Sequence, residues 1–194
     1  MKHNIPPFFF HLSEIPNLHI EALYATDNNF TKKKLPGYAT TNHLWIHVNA
    51  KNKLMMAAQK LQQQGLGLWV WDAYRPKRAT DAMVQWAKDT GQYFLVTDGY
   101  IAIRSRHNSG GAIDCSLYDL HTRQLLDMGT AWDSFEEESH IHKTTGQAAL
   151  NRTILHDCMN QFGWNSYEKE WWHFELPEAR QLESQDIPYF DTSI

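Results

Sequence analysis

The chain has 194 residues, 42% of them hydrophobic and 21% charged, with a net charge of −4. That size and mixture fit one globular domain with a core of its own. The negative balance, with no basic stripe, excludes nucleic acid as a main partner, and no apolar run is long enough to span a membrane.

In chain order, residues 1–40 are rich in Pro, Asn and Lys and predict an N-terminal arm of turns wrapping the core. The Phe8–Phe10 run is too short for a signal peptide and is preceded by Pro6-Pro7, so the protein is expected to work where it is made. Lys53 to Gln64 predicts a helix with Leu54, Ala57, Ala58 and Leu61 on one face, ended by Gly65. Leu66 to Tyr74, with Trp69, Val70 and Trp71, reads as a buried strand. A helix opens at Pro76, carries a stripe of Ala79, Ala82, Met83, Trp86 and Ala87, and closes at Gly91. Ser105 to Gly111 is a glycine-bearing loop and Ala112 to Leu120 a strand.

Gly146 to Phe162 predicts another helix, through Leu150, Ile154, Leu155, Cys158 and Phe162. Glu168 to Leu176 is an aromatic strand stopped by Pro177. Helices and strands mix without a βαβ rhythm, so the expected class is α+β: one domain over residues 1–194, a small antiparallel sheet flanked by helices. Cys115 and Cys158 make no disulfide framework and read as buried, reduced thiols, compatible with a cytoplasmic setting.

Two segments carry the chemistry: Ser105-Arg106-His107-Asn108-Ser109-Gly110-Gly111-Ala112-Ile113-Asp114 and Glu170-Trp171-Trp172-His173. A catalytic zinc site needs three protein ligands and an open position for water, with a base to take the water's proton. His107, Asp114 and His173 supply the ligands and Glu170 the base. The adjacent glycines allow the loop to double back and bring His107 and Asp114 together. Glu170 and His173 are three apart, which on a flat strand puts them on opposite faces. The assignment therefore requires a turn or bulge at Trp171-Trp172. The run Glu136-Glu137-Glu138-Ser139-His140-Ile141-His142 also holds two imidazoles, but it is highly charged and has no glycine framing, and it reads as a solvated loop.

These residues resemble the zinc D-Ala-D-Ala dipeptidases of the VanX type, peptidase family M15, among the D,D-peptidases that share a fold with the Hedgehog signalling domain. The likeness takes in Tyr24-Ala25-Thr26 with Asn29-Phe30-Thr31, Asp72-Ala73-Tyr74-Arg75-Pro76, Ser105 to Asp114, Asp127-Met128-Gly129-Thr130 with Asp133, and Glu170 to His173. It departs at Ala131-Trp132, where the family usually has an acidic residue and Phe. The resemblance implies His107, Asp114 and His173 as Zn2+ ligands and Glu170 as general base. It implies Arg75 against the oxyanion of the tetrahedral intermediate. Ser105 and Asp133 would meet the substrate ammonium, with Tyr24 beside them.

The implied activity is zinc-dependent hydrolysis of the small dipeptide D-Ala-D-Ala by a metal-bound water. Two alternatives stand beside it: a D,D- or L,D-carboxypeptidase acting on peptidoglycan stem peptides, and a non-catalytic zinc-binding module. Glu170 together with Arg75 argues against the second.

Overall fold

A computed structural model of the chain describes residues 5–189, with the strand expected at Leu66–Tyr74 in the body of its main sheet. Of the first 40 residues, Met1–Asn4 lie outside the described range. Strand β1 (Phe9–His11) pairs antiparallel with β3 (Trp45–His47) as a two-stranded sheet. A second sheet has five strands in the order β2 (Leu18–Ile20), β4 (Leu66–Asp72), β5 (Ala112–Asp119), β7 (Glu170–Glu175), β6 (Asn165–Tyr167). Only the β2–β4 pair is parallel; the other three are antiparallel. The class is α+β, as expected.

Helix α1 (Lys51–Gln62) buries Leu54, Ala57, Ala58 and Leu61, the face its spacing predicts. Gly65 follows it at φ +75°, where only glycine is unstrained. Helix α2 (Lys77–Asp89) buries Ala79, Met83 and Ala87, and a single turn, α3 (Phe94–Thr97), comes after it. Helix α4 (Gly146–Gln161) lies against α1, where the Cys158 thiol points at the Ala57 carbonyl, 3.5 Å away. Cys115 and Cys158 are both free and buried. Strand β5 is buried on both sides, with Asp114 and Ser116 lining cavities and Ile113, Cys115 and Leu117 in the apolar core. Its alternation therefore delivers Asp114 to the functional side of the sheet.

Two expectations need revision. The first 40 residues do more than wrap the core: they give two strands and bury Leu12, Ala22, Tyr24, Leu35 and Tyr38 inside it. Three-residue strands are too short to show a period. In α4, Leu150 is 59% exposed, while Asn151, Arg152 and His156 are buried. Asn151 donates to the Asp127 carbonyl, and Arg152 to the carbonyls of Met128, Glu138 and His140. Polar side chains with their bonds made are stable inside, so the buried face departs from the apolar stripe. Among the described residues no helix is long and apolar enough to cross a membrane.

Candidate active site

Ser105 to Gly111 forms one tight turn. The Ser105 hydroxyl accepts from the His107 N–H at 3.2 Å, and the Asn108 side chain accepts from the Ser105 N–H at 3.2 Å, a reciprocal cap on the 3-10 turn Arg106–Ser109. Gly110 ends it at φ +70°; a Cβ there would stand 2.7 Å from the Phe9 ring and 2.9 Å from the His47 nitrogen. The glycine is needed both for its dihedral and for the close approach of β1 and β3. The chain then enters β5 and reaches Asp114.

Strand register places the rest. Asp72 of β4 lies opposite Asp114 of β5, which lies opposite His173 of β7. On the other side of β7, Ser166 faces Phe174 but Tyr167 faces Glu170. Three residues, Trp171 to His173, are therefore unmatched on β6, and the strand bulges there. Glu170 and His173 come to one side, with Glu170 Oε2 3.9 Å from His173 Nδ1.

The atoms that converge are His107 Nε2, Asp114 Oδ1 and His173 Nδ1. Their separations are 3.1 Å between the imidazoles, 3.2 Å from His107 to Asp114 and 3.1 Å from His173 to Asp114. His107 Nδ1 donates to the Ala73 carbonyl at 2.7 Å, which leaves Nε2 as a bare lone pair. In the metal-free protein a proton on His173 supplies the positive charge among these atoms, and a bound metal ion would take that proton's place. Ligands about 3.3–3.4 Å apart are the spacing on one face of a tetrahedron around an ion at about 2.0–2.1 Å; the observed 3.1–3.2 Å come within about 0.2 Å of that, so the donor set fits a zinc-like cation. Among the described residues this is the one such group of His, Cys, Asp and Glu.

The electrostatics agree. Burial disfavours the Asp114 carboxylate, but His107 and His173 outweigh it and hold its pKa far below the ordinary range. Burial likewise disfavours a charged His173, yet Asp114 and Glu175 push its pKa up to about 10. The pocket stabilises a cation at its centre. Burial pushes Glu170 up to about 7 against the pull of His173, which poises it to exchange protons near neutrality.

Arg75 is buried against this group. Its Nε donates to Asp72 Oδ2 at 2.8 Å, its NH2 lies 3.8 Å from Asp114 Oδ2, and its guanidinium sits 5.0 Å from the Tyr24 ring centre. Tyr24 donates its hydroxyl to Asp133 Oδ2 at 2.7 Å. Asp133 holds a left-handed backbone, φ 59°, a strained setting for a non-glycine residue. Burial first, then the nearby Asp114 charge, raises its carboxyl well above the usual value.

All eight residues singled out from the sequence, Tyr24, Arg75, Ser105, His107, Asp114, Asp133, Glu170 and His173, line one cleft of about 460 Å³. The sequence reading named Asp72 within the shared motif but gave it no role; it is fully buried and binds Arg75 while lying 3.3 Å from His107 Nδ1. Trp132, singled out only as a departure from the family pattern, points its Nε1 at Asp114 Oδ2 across 3.4 Å and stacks its ring on Trp71. The role of Asp72 was detectable from an acid at the end of an apolar strand three residues before an arginine, whereas the departure at Ala131-Trp132 did not by itself point to a contact with Asp114. The Glu136–Glu138 run is exposed, as expected, though His140 Nε2 meets the Tyr100 hydroxyl at 3.0 Å.

A family model described as D-Ala-D-Ala dipeptidase, Peptidase M15, matches residues 8–193. The chain belongs to the M15 peptidase family. Similar proteins include the D-alanyl-D-alanine dipeptidase of Enterococcus faecium, 36% identical over 88% of this chain and 90% of that protein. The one from Escherichia coli is 39% identical over 84% and 81%, and the one from Streptomyces coelicolor 32% over 93% and 94%. M15 is a metallopeptidase family, so this member is a metal-dependent hydrolase.

Proposed function

We propose that the protein hydrolyses the free dipeptide D-Ala-D-Ala, with zinc held by His107, Asp114 and His173. One observation carries the reading: three metal-ligating atoms converge 3.1–3.2 Å apart, with Glu170 beside them and Arg75 leaning over Asp114, inside a single cleft. The dipeptidase names of the relatives supply the substrate.

A bound zinc ion supplies Lewis acidity and makes water more acidic. The side chains do the remaining work. Glu170 takes a proton from the attacking water and returns it to the leaving nitrogen, so the peptide C–N bond breaks and two D-Ala molecules form. Arg75 stays charged at any working pH, and negative charge developing on the carbonyl oxygen falls to it. Asp133, with the Tyr24 hydroxyl on it, receives the substrate ammonium, whose charge offsets the cost of ionising a buried carboxyl. Ser105 lines the same cleft while capping the His107 turn. The two reduced thiols fit work in the cytoplasm.

The test is turnover by zinc-loaded protein of D-Ala-D-Ala and, separately, of a stem peptide ending in D-Ala-D-Ala, each repeated with Glu170→Ala. The expected result is D-Ala from the free dipeptide alone, lost in the variant. Release from the stem peptide makes the protein a carboxypeptidase; zinc binding without turnover of either makes it a binding module.

A further inference from the structure

We infer that His156, on α4, is a positioning residue that fixes the β7 bulge and thereby the placement of Glu170 and His173. The inference rests on reading those two residues as base and ligand. His156 Nε2 lies 3.0 Å from the Trp171 carbonyl, and His156 Nδ1 lies 2.7 Å from the Ser166 hydroxyl. A carbonyl only accepts, so Nε2 carries the proton and Nδ1 must accept from Ser166. The Ser166 oxygen is also 3.2 Å from Asn160 Oδ1; its one proton serves the shorter contact. Burial pushes the His156 pKa down to about 4, which keeps the ring neutral and this bonding pattern single.

The carbonyl that His156 holds belongs to the first residue of the unmatched stretch Trp171–His173. It is adjacent to Glu170 and two residues from His173. On its β6 side this stretch lacks the ladder bonds that fix an ordinary strand, and on the β5 side only His173 is paired, with Asp114, so the course of Trp171-Trp172 depends on bonds from outside the sheet. Two more contacts seize the same residue: Trp171 Nε1 donates to Thr130 Oγ1 at 2.8 Å, and the Arg152 guanidinium lies 5.7 Å from the indole. His156 is the one that grips the backbone. It also spans the two uneven strands, since Ser166 is the last β6 residue in regular register before the slip. Without that N–H the Trp171 carbonyl is left buried and unpaired, and turning it toward another donor rotates the peptide planes that aim Glu170 and His173.

The test uses two polar replacements. The amide nitrogen of Gln overlays Nε2 of His and reaches the Trp171 carbonyl; that of Asn overlays Nδ1 and does not. Zinc affinity of His156→Asn and His156→Gln is measured from the metal-free proteins by competition with a chromophoric chelator. Both kcat and KM for D-Ala-D-Ala are then measured on the loaded proteins. His156→Asn is expected to bind zinc about 10–100-fold more weakly, as loss of an outer-shell partner does. It should lower kcat while KM moves less than about twofold, with His156→Gln near wild type in both. Wild-type zinc affinity in folded His156→Asn, or equal losses in the two variants, overturns the inference. A wild-type protein that cleaves no dipeptide sinks the proposed function instead and leaves the zinc comparison intact.

Discussion

The pair Asp72–Arg75 should behave as a buried unit, and a double-mutant cycle measures it. Asp72 is fully buried and accepts from Arg75 Nε at 2.8 Å and from the Tyr38 hydroxyl. In Asp72→Asn the shape is kept and the charge is lost. Arg75 is then left buried with Asp114 as its nearest carboxylate, at 3.8 Å, and the Tyr24 ring at 5.0 Å. Removing one partner of a buried pair costs about 3–5 kcal/mol; those two remaining contacts put the expected cost near the low end, about 3 kcal/mol. For a chain of this length that lowers Tm by about 6–12 °C.

Arg75→Met should cost less, about 1–2 kcal/mol, because burial already raises the Asp72 carboxyl and a neutral acid can stay inside. In the double variant neither charge is stranded, so the combined loss should fall short of the sum by about 2 kcal/mol. Urea unfolding of the four proteins, all metal-free in the presence of chelator, gives the cycle. Additivity within about 0.5 kcal/mol, or a loss below about 1 kcal/mol for Asp72→Asn, refutes the reasoning.

Three further outcomes follow from the site. Glu170→Gln should cut kcat by about 10²–10⁴-fold and leave zinc content at one ion per chain, as read by turnover and elemental analysis; a variant with near-wild-type kcat removes Glu170 from the proton path. Asp133→Asn should raise KM for D-Ala-D-Ala about tenfold with little change in kcat, and should erase the preference over the N-acetylated dipeptide, which has no ammonium. His156 has a folded pKa of about 4 against an ordinary value of about 6.5, so between those values the unfolded chain binds the extra proton. This contribution to stability is whole above about pH 6.5 and shrinks, by up to about 3 kcal/mol, as pH falls to about 4. Unfolding midpoints across that range should fall more steeply for wild type than for His156→Gln, and parallel curves would contradict the assignment.

Much of the fold was legible because its main elements are long and periodic. Helix α1 buries its predicted face, β4 lies where its apolar run foretold it, and β5 lies within the alternating segment expected as a strand over 112–120. The candidate site was legible for another reason: two adjacent glycines between a histidine and an aspartate leave few ways to fold, and Gly110 is packed so tightly that no side chain fits. What escaped was set by tertiary pairing. Nothing in the spacing of β1 and β2 marks three-residue strands. The bulge in β7 was a requirement of the metal assignment, and only the slipped register against β6 gives it a physical basis. The polar side of α4 was hidden because Asn151, Arg152 and His156 look like surface residues until their carbonyl partners are in view.

Anomalous diffraction at the zinc edge from crystals of the zinc-loaded protein tests the central claim most directly. The account predicts one peak within about 2.0–2.2 Å of His107 Nε2, an Asp114 carboxylate oxygen and His173 Nδ1. A strong peak elsewhere, or none at those three atoms, contradicts it.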